Sequence, residues 1–187
     1  MKETNISASF RSAFRRYFII GLVVMTVLAF TLVAEPVISS KPISEGDIAP
    51  VFSVQDLGGI TRDLEAHIGS DVVMLDFWSI YCVSCVQALP KLIEIYEKYR
   101  EKGFMLYGID LDSFSVRRVQ RFIKGLGFDI TYPVIVDRKR EVAGAYNVSI
   151  LPTTILIGRD GKVEMFHIGY KPGDEEDFEH RIKKLID

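Results

Sequence analysis

A chain of 187 residues, 48% hydrophobic and 26% charged, is long enough to close one core and carry one appendage. A net charge of −2 excludes the basic footprint of a nucleic-acid binder. Two cysteines and three scattered histidines, His67, His167 and His180, exclude a four-ligand zinc site, so no metal is expected.

The charge is unevenly placed. Lys2, Arg11, Arg15 and Arg16 face only Glu3, so residues 1–16 read as a basic cytoplasmic tail and the remainder is net acidic. Tyr17–Ala34 carries no charge. As a helix it would span roughly 27 Å, about one hydrocarbon core. Arginines before it and acids from Glu35 onward put the N-terminus in the cytoplasm and everything after residue 34 outside. A cleaved signal peptide is the competing reading. Cleavage after Ala34 would place bulky Leu32 where a small residue is needed, so an uncleaved signal-anchor helix is expected. Residues 35–46, with prolines, serines and a closing glycine, read as a linker, and 47–187 as one domain.

Within the domain, Val51–Gln55 and Ile60–Asp63 flank Asp56-Leu57-Gly58-Gly59 and read as an N-terminal β-hairpin. Val72–Trp78 is apolar except for Asp76, the pattern of a buried strand. Cys82–Arg100 has helical spacing, with Leu89, Leu92, Ile93, Tyr96 and Tyr99 on one side and Gly103 as a stop. A strand at Phe104–Leu111 precedes a helix capped by Ser115 and running to Lys124. Tyr132–Val136 reads as a strand and Glu141–Tyr146 as a short helix. Thr154–Ile157 and Val163–Ile168 form a hairpin about Gly158-Arg159-Asp160-Gly161. Asp174–Ile186 is an amphipathic helix, opened by acids and closed by Lys183 and Lys184. This alternation implies an α/β fold with a central mixed sheet flanked by helices.

The chemistry concentrates at Cys82 and Cys85, spaced C-x-x-C where a strand gives way to a helix. A structural bridge closing so short a loop stabilises little, which favours a redox pair. Amides at a helix start favour a thiolate. Cys82 is therefore expected to be the exposed nucleophile, and Cys85, one turn in, the thiol that resolves the mixed disulfide.

Leu75-Asp76-Phe77-Trp78-Ser79-Ile80-Tyr81-Cys82-Val83-Ser84-Cys85 resembles the strand and active-site turn of the thioredoxin superfamily, specifically its TlpA/ResA-like, membrane-anchored branch. Pro90, Asn147–Thr154, Asp160–Val163 and Gly46–Phe52 are similar to further segments of that branch, and the likeness runs from Gly46 to the C-terminus. Ser113–Thr131 sits where the branch carries an insertion. The resemblance implies a thioredoxin-like fold and a reductase of protein disulfides. It also implies a membrane-embedded electron donor, a part in cytochrome c maturation, and no cofactor besides the Cys82–Cys85 pair. Pro152 stands at the family's cis-proline, so Leu151 and Pro152 are expected to present backbone to an extended substrate. Trp78 and Tyr81 are expected to shape the surface around Cys82, with a place in the core as the competing and favoured reading for Trp78 alone.

Asp76 matches the buried aspartate of cytoplasmic thioredoxins. A carboxyl in an apolar strand resists ionisation, so it is expected to exchange a proton with Cys85; the alternative is a structural aspartate. Four positions depart from the branch: Tyr81 replaces a tryptophan, Val83-Ser84 lies between the cysteines, and Ala88 replaces a glutamate. The Ala88 replacement counts against the maturation role. Two other functions compete. A Cu(I)-binding module would use both thiolates but lacks a nearby methionine or histidine. A peroxiredoxin-like peroxidase would want an arginine beside its cysteine, and Leu75–Cys85 contains none.

Overall fold

The structure, a computed structural model, describes residues 42–113 and 115–187. The cytoplasmic tail, the anchor at Tyr17–Ala34 and most of the linker lie outside the described residues. Among the described residues no helix is long and apolar enough to cross a membrane.

Among those residues seven strands and four helices alternate: β1 Ser53–Gln55, β2 Thr61–Asp63, β3 Val72–Trp78, α1 Val83–Tyr99, β4 Phe104–Asp110, α2 Val116–Lys124, β5 Val134–Val136, α3 Glu141–Ala145, β6 Thr153–Ile157, β7 Val163–Ile168 and α4 Asp174–Ile186. β1 and β2 pair as a separate antiparallel ribbon. The main sheet has the order β5-β4-β3-β6-β7. β3, β4 and β5 run parallel, and β6 and β7 return antiparallel. This is the mixed sheet of the thioredoxin-like fold.

β3 is central, and all seven of its residues are buried. Its side chains alternate between two cores, as a strand covered on both faces requires. Val72, Met74 and Trp78 pack with Cys85, Leu89 and Leu92 of α1, Val119 of α2, and Phe178 and Ile182 of α4. Val73, Leu75 and Phe77 pack on the other face with Leu64, Val142, Ala143 and Tyr146. Each large apolar side chain taken fully out of water contributes roughly 1.5–3 kcal/mol, so β3 and its cover are the main source of rigidity.

Helix α1 buries Cys85, Ala88, Leu89, Leu92, Ile95, Tyr96 and Tyr99, a stripe at three- and four-residue spacing. Ile95 belongs to that stripe, whereas Ile93 is only half-buried at its margin. Pro90 lies inside the helix on its exposed face. Having no N–H, it gives up one rung of the helical ladder. After a short 3₁₀ turn, Gly103 at φ 80° reverses the chain into β4.

Several boundaries differ from the sequence expectation. β5 begins at Val134 rather than Tyr132, because Pro133 has no N–H for the ladder. Tyr132 is instead buried in the core on the α1 face. Ser115 occupies the start of α2, but its side chain makes no capping hydrogen bond. The ribbon strands are shorter than their apolar patterns, spanning only Ser53–Gln55 and Thr61–Asp63.

The turn from β3 into α1 is held from β4. Asp112, just past that strand, accepts from Ser79 Oγ at 2.8 Å and from the Ile80 amide at 2.9 Å. Ser79 Oγ in turn accepts from the Tyr81 amide at 3.1 Å. Asp110 lies beneath, wholly buried, and its Oδ1 accepts from the Asp112 amide. Burial first, and then the Asp112 carboxylate beside it, push the Asp110 pKa up to about 8. Two acids at the C-terminal end of a parallel strand are a readable sequence signal, yet neither is among the residues expected at the site. Hydrogen bonds to a charged group contribute about 1.5–3 kcal/mol each. Asp112→Ala should therefore lower unfolding free energy by roughly 2–3 kcal/mol in urea titration. Asp112→Asn, which keeps one acceptor, should recover part of the loss.

Candidate active site

Cys82 is the N-cap of α1, with extended backbone at φ −91° and ψ 103°. This residue ends the turn braced by Asp112, and its Sγ accepts from the Cys85 amide at 3.3 Å. The free amides of a long helix thus point at this sulfur, the arrangement that favours a thiolate once the pair is reduced. Cys82 and Cys85 are joined in a disulfide with an S–S distance of 2.03 Å and Cα atoms 5.2 Å apart. Cys82 is half-buried, whereas Cys85 has no exposed surface. An incoming sulfur reaches the first cysteine and not the second.

Asp76 lies in mid-strand on the same face of β3 as Trp78 and hence on the α1 side, with 1% exposure. Across the β3–β6 ladder it stands opposite Thr154, whose Oγ1 donates to Asp76 Oδ1 at 3.2 Å. Its Oδ2 has no hydrogen-bond partner. Burial pushes the carboxyl up to about 7, and the Thr154 hydrogen bond opposes only part of that shift. Asp76 therefore titrates in the range where it can exchange a proton near neutral pH. Ala88 is buried on the same face, so no carboxylate is supplied from α1 there.

The surface around Cys82 is mixed, with exposed apolar side chains and Ser84 Oγ 3.6 Å from the Cys82 sulfur. Tyr81 is 60% exposed, Val83 73% and Ile150 56%. The Arg118 guanidinium lies 5.9 Å from the Tyr81 ring centroid. The Leu151–Pro152 peptide is cis. Thr153 pairs with Phe77, so the Ile150–Pro152 turn stands beside the end of β3 from which the Cys82 turn departs. Pro152 is buried, and its carbonyl accepts from the Gly169 amide at 2.8 Å. Leu151, half-buried, and Ile150 form the outer side of that turn.

Trp78 requires a correction. Of the two places the sequence allows it, the substrate surface around Cys82 is excluded and the core reading holds: it has no exposed surface and packs against Phe122, with ring centroids 6.3 Å apart. A residue inside a strand covered on both faces cannot meet a substrate. His67 is a structural side chain, bonded to Asp71 and to the Tyr107 hydroxyl, each at 2.6 Å. Among the described residues no group of three or more His, Cys, Asp or Glu is placed to hold a metal. A cleft of about 650 Å³ lies between Val54, Gln55, Ile135–Lys139 and Glu141, and neither cysteine lines it. Thr154 and Tyr132, which meet Asp76 and its surroundings, are site residues that sequence reasoning misses. Their only sequence signal is a polar group in an apolar strand.

Comparison with known proteins agrees with this geometry. The AhpC/TSA family profile matches residues 46–166. Thiol-disulfide oxidoreductase ResA of a Bacillus cereus strain is 34% identical over 167 residues, covering 89% of this chain and 93% of that protein. ResA of Bacillus subtilis (strain 168) is 34% identical over 152 residues, covering 80% and 83%. A crystal structure from Chlorobium tepidum, assigned as a thiol:disulfide interchange protein DsbE, superposes with a TM-score of 0.71. It is 32% identical and covers 78% of this chain and 99% of its own. With a redox pair at the head of a long helix, a thioredoxin-like sheet beneath it and relatives of this kind, the chain belongs to the AhpC/TSA family as a thioredoxin-fold thiol–disulfide oxidoreductase.

Proposed function

We propose that this enzyme reduces disulfides of extracytoplasmic proteins while tethered to the membrane by Tyr17–Ala34. The observation that carries the reading is the asymmetry of the pair: Cys82 is reachable at a helix start, and Cys85 is sealed behind it on the face that holds Asp76. In the reduced enzyme the Cys82 thiolate attacks one sulfur of a substrate disulfide. A mixed disulfide forms and the substrate's other sulfur leaves as a thiolate. Cys85 then loses its proton to Asp76 and attacks Cys82 Sγ. The mixed bond breaks, the second substrate thiolate departs, and the Cys82–Cys85 disulfide remains. Two electrons have passed from the dithiol to the substrate, and the Asp76 proton returns to the released thiolate.

The apolar rim of Tyr81, Val83 and Ile150 suits a polypeptide better than a small polar thiol. Restoring the dithiol outside the cytoplasm requires a reduced thiol partner, and the tether favours one embedded in the membrane. Apocytochrome c is the substrate suggested by the ResA-like branch, and Ala88 in place of that branch's glutamate counts against it.

Trapping tests the order of attack. Cys85→Ser, expressed in its native membrane and isolated without reductant, should accumulate adducts joined through Cys82. Cys82→Ser should trap at least about tenfold fewer, since the remaining thiol is sealed from an incoming sulfur. Equal trapping by the two variants would reverse or remove the assigned roles.

The Asp76 relay has a rate and a stability signature. Asp76→Asn should slow disulfide exchange near pH 7 and abolish the limb of the pH–rate profile that reflects an ionisation near 7. On the stability side, the folded carboxyl titrates at about 7 against an ordinary value of 3.8. Between those values the folded chain holds a proton that the unfolded chain has lost. Stability therefore falls as pH rises from about 4 to 7 and is flat above, a total of about 4 kcal/mol. Asp76→Asn should unfold at higher urea than the parent at about pH 8, with the difference vanishing towards about pH 4.

A further inference from the structure

Behind the disulfide the interior contains more polar groups than it satisfies. Asp76 Oδ2, Trp78 Nε1 and the Tyr132 hydroxyl are all buried, and none has a hydrogen-bond partner. Buried polar atoms without partners are rare in folded proteins, and these three share one face of the sheet. Asp76 and Trp78 are alternate residues of β3, and Gly108 of β4 stands opposite Asp76 in the ladder. A Cβ on Gly108 would come within 2.9 Å of Tyr132 Cε2 and 3.4 Å of Trp78 Nε1. The missing side chain therefore makes room for the Tyr132 ring directly over the neighbour of Asp76. Tyr96 of α1 fixes that ring edge-on, with centroids 5.9 Å apart and planes at 82°. Even across the gap, the Asp76 charge helps to push the Tyr132 pKa well above its ordinary value, after burial itself.

The chemistry of the three atoms is complementary. The indole N–H only donates, an ionised carboxylate only accepts, and a phenol does both. One water can accept from Trp78, donate to Asp76 and bond the Tyr132 hydroxyl, which is the number of partners an interior water takes. We propose that Asp76, Trp78 and Tyr132 form a single interior hydration site behind Cys85, and that Tyr132 is a positioning residue which tunes the Asp76 carboxyl through it. The pocket stands on geometry alone, whereas its use in catalysis rests on the relay proposed above.

The sign follows from the groups that face the carboxyl. β6 supplies Thr154, β4 supplies Gly108 and, opposite Trp78, the buried acid Asp110, whose Oδ2 also has no hydrogen-bond partner; α1 supplies Cys85 and Tyr96, and the segment before β5 supplies Tyr132. The buried residues of α2 and α4 on this face, Val119, Phe178 and Ile182, are apolar. Cys82 lies at the outer edge, paired with Cys85. The Arg62 guanidinium borders the same cleft as Tyr96 and Tyr132 but is ion-paired with Asp56 at 2.7 Å; the partner bonded to the Asp76 carboxyl is the Thr154 hydroxyl, so hydrogen-bond donors must oppose the burial that favours the neutral acid. Tyr132 stays protonated across the working range and acts as such a donor. Removing it should raise the Asp76 midpoint further.

Infrared titration of the oxidised full-length protein in lipid nanodiscs tests this without reference to activity. The protonated Asp76 carboxyl is identified by the band that Asp76→Asn removes. In the parent its midpoint should lie near 7. Tyr132→Phe, which keeps the ring and loses only the hydroxyl, should raise that midpoint by about half a unit to one unit. Trp78→Phe, a second variant that removes the other donor, should shift it the same way. Midpoints unchanged or lowered in both variants would overturn the pocket. Exchange kinetics separate the two proposals. If Tyr132→Phe moves the band while parent and Asp76→Asn share one pH–rate profile, the hydration site stands and the relay fails. If Asp76→Asn removes the neutral limb while Tyr132→Phe leaves the band in place, the relay stands and the hydration site fails.

Discussion

β3 is hydrogen-bonded on both edges and covered on both faces. Whatever it carries must be satisfied by its neighbours, because bulk water reaches none of it. Five of its seven residues meet that condition by being wholly apolar, and Trp78 adds one buried indole N–H. Asp76 does not, and the sheet around it is arranged to accommodate one carboxyl: Thr154 opposite on β6, Gly108 opposite on β4, and an aromatic ring with a hydroxyl above. The same central position delivers the disulfide. β3 ends at Trp78 against Asp110 of β4, and the turn that follows is held by Asp112 before α1 begins. The sulfurs are thus fixed by the strand whose interior contains the titrating group.

Much of this is legible in the sequence because periodicity and punctuation are local. β7 and α4 match their expected ranges residue for residue, since the alternation of Val163–Ile168 and the acid-to-base polarity of Asp174–Ile186 are complete within each segment. The redox character of Cys82 and Cys85 is likewise carried by their spacing at a strand–helix junction. What is illegible depends on partners distant in sequence. Nothing near Tyr132 indicates that it lies over Gly108, which is 24 residues earlier. Asp112 looks like a loop acid until Ser79 and Ile80 are brought to it. Trp78 looks like an active-site aromatic because it is four residues from Cys82, but a strand's alternation turns it inward.

Two residues that bear on the resolving sulfur fall on the same face of the sheet. Ala88 and Asp76 both face the α1 core: the helix brings no carboxyl there, and the sheet supplies one. A carboxyl on β3 approaches the pair from beneath rather than from the helix. It is shielded from solvent, which places its titration under the control of interior donors instead of bulk water.

The difference in exposure between the two sulfurs also governs how the enzyme meets its partners. With Cys85 sealed, electrons enter and leave through one atom, Cys82 Sγ. On the mechanism proposed above, donor and acceptor each meet the enzyme at Cys82, so they cannot be bound together. Turnover is then an alternation of two half-reactions on a single port, with double-displacement kinetics in which each partner competes with the other. On that mechanism, a surface that serves both half-reactions has little latitude to specialise for either, and a mutation there would alter reduction of the enzyme and oxidation of the enzyme alike.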